Sequence, residues 1–147
     1  MNSKWRPDDS FLEEEDGQLK GVRRVMQALK KHGVAPRRGV LTSRERGVED
    51  TREDLRRTHM PPGFEQWQLP VALGPDKNVL AFMTKAEPNA EIPEHSHRVE
   101  LFRVVVSGSV FYGDQELTAG DWMSVQAGSS YGLRAGRDGC VICHMYW

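Results

Sequence analysis

Only two cysteines, Cys140 and Cys143, occur in 147 residues. That is too few for a disulfide framework to replace a hydrophobic core. Charge of one sign is lacking as well. Twenty Lys and Arg stand against 21 Asp and Glu, a formal net charge of −1, which offers no field to draw in nucleic acid or an acidic membrane surface. Long apolar runs are missing, so no segment reads as a membrane span. The opening "MNSKWRPDDSFLEEEDG" has no apolar stretch of the kind that directs export. Nor is there a Gly-rich phosphate loop, a paired CxxC zinc pattern or a G-x-S-x-G nucleophile elbow. These absences leave the expectation of a cytoplasmic domain with reduced thiols and with no nucleic-acid or membrane partner.

What is present changes near residue 60. The first 60 residues hold 25 charged side chains and only Trp5 and Phe11 as aromatics; the remaining 87 hold 16 charges and the other ten aromatics. The core therefore belongs to the second part. In the first, "GQLKGVRRVMQALKKHG" reads as an amphipathic helix: Leu19, Val22, Val25, Met26 and Leu29 recur at helical spacing, basic residues close it, and Gly33 stops it. "TREDLRRTH" suggests a second, short helix opening at Thr51. Neither buries much alone, so both should rest on the later domain or on a second subunit. From residue 61 the texture is β. "FEQWQL", "NVLAFMT", "VELFRVVV", "SVFY", "WMSVQ", "YGLR" and "CVICHMYW" alternate with turn segments such as "GPDKN", "SG", "TAGD" and "AGRDG". Seven short strands without intervening helices argue for an antiparallel sandwich or small barrel.

In "IPEHSHRVELFRVVVSGSV", His95 and His97 are two apart, so on a strand they face the same way. Paired imidazoles aimed at one point form half of a transition-metal shell. Two surface histidines in a polar loop are the plainer reading of HxH alone. The surroundings add to it. Pro93, His95, His97, Glu100 and Gly108, followed by Gly120-Asp121 and Gly128, resemble both sequence motifs of the cupin family over roughly residues 64–147. The resemblance implies a small jelly-roll barrel, with a divalent metal held by His, His, Glu and His in many members. This chain departs from the pattern at three points. "HRVE" leaves two residues between His97 and Glu100 where the family has three or four, and counting back from Gly108 puts Leu101 in the Glu slot; a β-bulge near Val106 would reconcile the two counts. Tyr131 stands where the second motif has its histidine, and Gln126 replaces a turn proline. Tyr131 could donate a hydrogen bond, act as acid or base, or simply fill the barrel.

His144 competes with Glu100 to complete the metal shell, alongside the reading of His144 as an ordinary strand residue. Alternation in "CVICHMYW" groups Cys140, Ile142, His144 and Tyr146 on one face. The same alternation separates Cys140 from Cys143, which removes a thioredoxin-like reading, and the C-x-x-C-H match to haem attachment is read as chance. His32 and His59 are assigned structural roles. Phe82, Phe102 and Trp122 are the aromatics expected to wall the cavity.

The expectation is thus an all-β fold, a cupin-like antiparallel jelly-roll barrel over 61–147 with a charged helical N-terminal extension over 1–60. Its expected function is that of a metal-dependent enzyme on a small organic molecule. Oxygenase or other oxidoreductase chemistry ranks ahead of isomerase, cyclase or lyase chemistry. The metal set is His95 and His97 with Glu100 or His144, and the polar catalytic candidates are Tyr131 and Glu100. The cofactor is one divalent transition metal, iron first, with zinc, manganese, nickel or copper as alternatives. The opposing reading is a non-catalytic barrel that senses or carries a ligand. Strand edges that need covering suggest a homodimer.

Overall fold

The computed structural model describes residues 5–34, 39–71 and 80–146. The expected turn "GPDKN", the first two residues of "NVLAFMT" and Trp147 lie outside the described residues. The extension opens with an irregular segment from Trp5 and one turn of 3-10 helix, Ser10–Leu12. A hairpin follows, β1 (Glu14–Glu15) against β2 (Gln18–Leu19). Its turn is Asp16-Gly17, both at positive φ (52° and 78°), which is the backbone a two-residue I′ turn requires. Helix α1 (Lys20–Lys31) then begins where the periodicity begins, and Gly33 at φ 73° ends it.

The apolar stripe of α1 divides between two clusters. Val22 joins Phe11, Leu80 and Phe82 in the barrel core, while Val25, Ala28 and Leu29 close over Leu55. Gly21 permits this approach, because a Cβ there would come within 3.1 Å of Leu80 and Phe11. Gln68 also donates to the Gly21 carbonyl at 2.8 Å. Burial of each such aliphatic or aromatic side chain contributes about 1.5–3 kcal/mol, so the extension is part of the folded unit's core. Helix α2 (Thr51–Asp54) leads into β3 (Arg56–Arg57).

An eight-stranded antiparallel sheet makes the barrel. Its strands are β3, β4 (Phe64–Gln68), β5 (Leu80–Ala86), β6 (Glu91–His95), β7 (Leu101–Tyr112), β8 (Gln115–Thr118), β9 (Trp122–Val125) and β10 (Tyr131–Tyr146). The order runs β3-β4-β5-β10-β7-β8, with β6 on β10 and β9 on β7. Among the described residues no helix interrupts β4 to β10; the fold is all-β, as the spacing of turns led one to expect, and a jelly roll, as the cupin resemblance implied.

Two expected turns are instead irregularities inside long strands. At "SG", Val141 pairs Ser107 and Ile142 pairs Val105, so Val106 is an extra residue, a β-bulge. Gly108 (φ 70°) bends β7 there, and any Cβ on it would lie 2.1 Å from the Gly139 carbonyl oxygen. At "AGRDG" the pairing of β10 jumps from Ala135↔Val110 to Cys140↔Gly108. Both strands continue because the glycines absorb the kink without reversing the chain. Phe82 points inward and is fully buried, but Phe102 and Trp122 pair on the outer face with ring centroids 6.1 Å apart. They do so because Leu101, Arg103 and Val105 take the inward positions of β7.

Candidate metal centre at the barrel mouth

His95 ends β6 opposite Tyr131, and His97 lies just beyond the strand. Both are buried, and their Nε2 atoms approach to 3.1 Å. His95 donates from Nδ1 to the Pro93 carbonyl at 2.7 Å, an oxygen that can only accept. His97 donates from Nδ1 to the Asp9 carboxylate at 3.1 and 3.3 Å. With both Nδ1 protons so committed, the two Nε2 atoms face one another. Such a contact is held by a cation between them, a shared proton or a metal ion, and backbone carbonyl and carboxylate partners on Nδ1 are what orient metal-bound histidines. One ion within reach of both nitrogens, at the ~2.0–2.1 Å typical of imidazole ligation, fits the pair. Burial, with smaller opposing and reinforcing contributions from Pro93 and His97, pushes the His95 imidazole down to about 4, so it is neutral and able to ligate near pH 7.

The other expected ligands are not brought to this point. The bulge at Val106 is present, yet Glu100 is exposed just before β7. The bulge lies on the far side of Arg103, so on the mouth side of it the odd-numbered residues face in and Glu100 has the outward parity. His144 does occupy the inner face with Cys140, Ile142 and Tyr146, but it stacks on Phe82 at 5.1 Å. The Tyr146 ring touches both His144 and His97, at 5.2 and 5.3 Å. Burial, then the charge of Arg103, holds His144 well below the ordinary imidazole range. Among the described residues, no group of three or more His, Cys, Asp or Glu side chains is placed to hold a metal. A metal ion here would have His95 and His97 as its ligands among the described side chains.

Tyr131 is buried beside the pair, its ring centroid 4.6 Å from that of His95. Its hydroxyl accepts from Arg103 Nη2 at 2.7 Å. Arg103, on the inner face of β7 opposite His144, is 5% exposed. A basic residue inside a strand reads as solvent-facing in the sequence, and no sequence signal marked this one. Asp9 and Trp5 were equally hidden, since they come from the extension. Trp5 stands edge-on to His95 at 5.3 Å and stacks on His59, whose Nε2 donates to the Arg6 carbonyl. Arg57 lies over the Phe11 ring and donates to the Asp8 carbonyl. This strap lies across the barrel mouth and leaves a partly open cavity of about 30 Å3, room for little more than a water or two. Burial disfavours the thiolate at both cysteines, pushing Cys140 up to about 11 and raising Cys143 as well.

An antiparallel jelly roll with a buried HxH pair at its mouth defines a cupin. More narrowly, the chain belongs to the ChrR cupin-like domain family, whose model matches residues 49–147. No curated protein sequence matches it. Among solved structures, one similar chain comes from the complex of Rhodobacter sphaeroides SigE with the anti-sigma ChrR. It has a TM-score of 0.53 and 19% identity, and the match covers 63% of this chain and 48% of that one. This chain thus spans about half of that relative. An RmlC-like cupin from Shewanella frigidimarina NCIMB 400 gives 0.51 at 20% identity, over 63% and 92% of the two chains. The polyketide cyclase RemF of Streptomyces resistomycificus gives 0.50 at 20%, over 60% and 69%. At these identities the likeness concerns the fold.

Proposed function

We propose that this protein is a metal-dependent cupin in which His95 and His97 hold one divalent transition-metal ion and present it to a small organic molecule. The observation that carries the reading is the 3.1 Å approach of two Nε2 atoms whose Nδ1 partners are already engaged. When bound, such an ion supplies Lewis acidity or, if it is iron, oxygen chemistry. The chain's own residues orient the ligands through Asp9 and Pro93, exclude water with Ile92 and Phe11, and hold a polar Arg103–Tyr131 pair beside the site. Two imidazoles leave neighbouring positions open, which ranks oxygenase-type oxidoreductase chemistry ahead of isomerase, cyclase or lyase chemistry. Glu100 would join the set only if 98–100 turned inward, and His144 only if Tyr146 moved aside.

Elemental analysis of protein purified without chelator, beside a His95→Ala/His97→Ala double variant, tests the reading. Near-stoichiometric metal in the parent and its loss in the variant is the expected result. A parent that stays empty after reconstitution overturns it. Iron then directs the work to O2-uptake assays, and zinc to isomerase or cyclase assays.

A second reading is a non-catalytic sensing barrel. The cavity favours it, because about 30 Å3 beneath the strap holds no sizeable organic substrate without movement. The relative in the SigE complex is an anti-sigma protein, so a protein partner that reads the state of the barrel belongs to the same proposal. A second copy over the outer Phe102–Trp122 face is the homodimer form of that idea, which sedimentation of the purified chain checks.

A further inference from the structure

Buried donors without acceptors are costly, at about 1–3 kcal/mol each and more for charged groups. Two of them belong to residues that line the same cavity, Trp5 and Arg103. Among the described residues, neither Arg103 Nε nor Trp5 Nε1 has a hydrogen-bond partner, and both are buried. Both atoms are N–H groups that donate and cannot accept. Arg103 is in addition a guanidinium enclosed in the barrel, and its Nη2 donates to the Tyr131 hydroxyl. Burial works against its charge. The groups that support it are Tyr131, Tyr146 and Cys140, and at neutral pH burial keeps the Tyr146 phenol and the Cys140 thiol protonated. No carboxylate is among them. The acids of the strap are engaged elsewhere: Asp9 accepts from His97, and Asp8 lies 3.9 Å from Arg57.

We infer that the cavity is a binding site for a small carboxylate of formate size, received by the Arg103 guanidinium and the Trp5 indole N–H, with Tyr131 positioning the guanidinium. A planar oxyanion supplies the acceptors that both donors lack and the negative charge that the buried cation lacks. The space of about 30 Å3 sets the size limit while the strap is closed. The inference rests on the proposed function only in naming the class of ligand that shares the histidine cavity; the guanidinium needs no metal to hold the anion.

The test is calorimetric titration of sodium formate into chelator-treated, metal-free full-length protein, with thermal shift as a second readout. Formate should bind and raise the melting temperature of the parent. Trp5→Phe keeps the ring against His95 but removes the N–H, and should weaken binding roughly tenfold; Arg103→Gln should abolish it. The His95→Ala/His97→Ala double variant should still bind formate, which separates this site from the metal. Failure of metal loading with formate binding intact would defeat the proposed function and leave this inference standing. Formate binding that needs loaded metal and survives Arg103→Gln would place the anion on the metal and overturn the inference. So would the absence of any binding to the parent. Should Arg103→Gln fail to fold, an unchanged affinity in Trp5→Phe overturns it alone.

Discussion

The barrel interior has two ends made from the same strands. At the mouth, His95, His97, Arg57, Arg103 and the Asp9 of the strap surround an open volume of about 30 Å3. At the far end Val105, Val110, Leu117, Met123, Leu133 and Ile142 pack with no room for a water. Arg103 borders both, its alkyl stem suited to the packed side and its head to the polar one. Strand pairing does not distinguish the ends, because β7 and β10 run through both. The choice of inward side chain does. The packed end supplies stability without chemistry, and the mouth keeps unsatisfied donors and desolvated imidazoles that the packed end must offset.

Ile142→Ala should break the comparison most strongly. It creates a cavity at a site 2% exposed and should cost about 2–5 kcal/mol in urea unfolding, with metal content per folded molecule unchanged. A loss of metal at equal folded fraction would show that the ends are not separable.

Arg103→Met sharpens the contrast from the other side. Replacing a buried cation by an apolar side chain of similar length is expected to hold or raise stability, by up to about 3 kcal/mol, while removing the formate effect. A large drop in the urea midpoint would mean that the guanidinium is chiefly a structural tie to Tyr131.

Acid gives a smaller effect of defined sign. His95 titrates at about 4 when folded and His144 is held well below the ordinary imidazole range, whereas both titrate near 6.5 when unfolded. The unfolded chain therefore binds more protons in this window. The melting temperature of metal-free protein should be highest above about pH 6.5 and fall steadily toward pH 4. A flat profile, or one that rises, would show that the mouth histidines carry a shared proton already at neutral pH.

The smallest effect is expected on the outer face. Trp122 is 62% exposed, and Trp122→Ser should shift monomer stability by no more than about 0.5 kcal/mol. If it instead dissociates a dimer in sedimentation, that face is an interface.

How much of this the residues announced depends on range. Period-two alternation located His144 with Cys140, Ile142 and Tyr146, and Gly33 marked the end of α1, because each is decided by neighbours in the chain. The HxH pair was legible for the same reason. Trp5 and Asp9 were not, since the sequence places them 90 and 88 residues before His95 and His97; only the packed fold joins them. Asp16-Gly17 did carry a local hairpin signal, masked by its charged flanks. Glu100 and Arg103 show the limit from two sides, a carboxylate that matches a motif yet faces solvent and a guanidinium on an apolar strand that is enclosed. Parity settles both, and parity cannot be read until a strand's start and its bulge are known.

That bulge at Val106 works as a phase shifter. Before it the odd-numbered residues of β7 face inward; beyond it the even-numbered Val110 does. Each end of the barrel consequently keeps its own alternation, and a lineage can gain or lose one residue at this joint without changing which side chains stand at the mouth. Motif spacings counted across such a joint compare positions that are not equivalent. The ruler that transfers between relatives is the partner strand: Arg103 is fixed by lying opposite His144, whatever number of residues separates it from the next glycine.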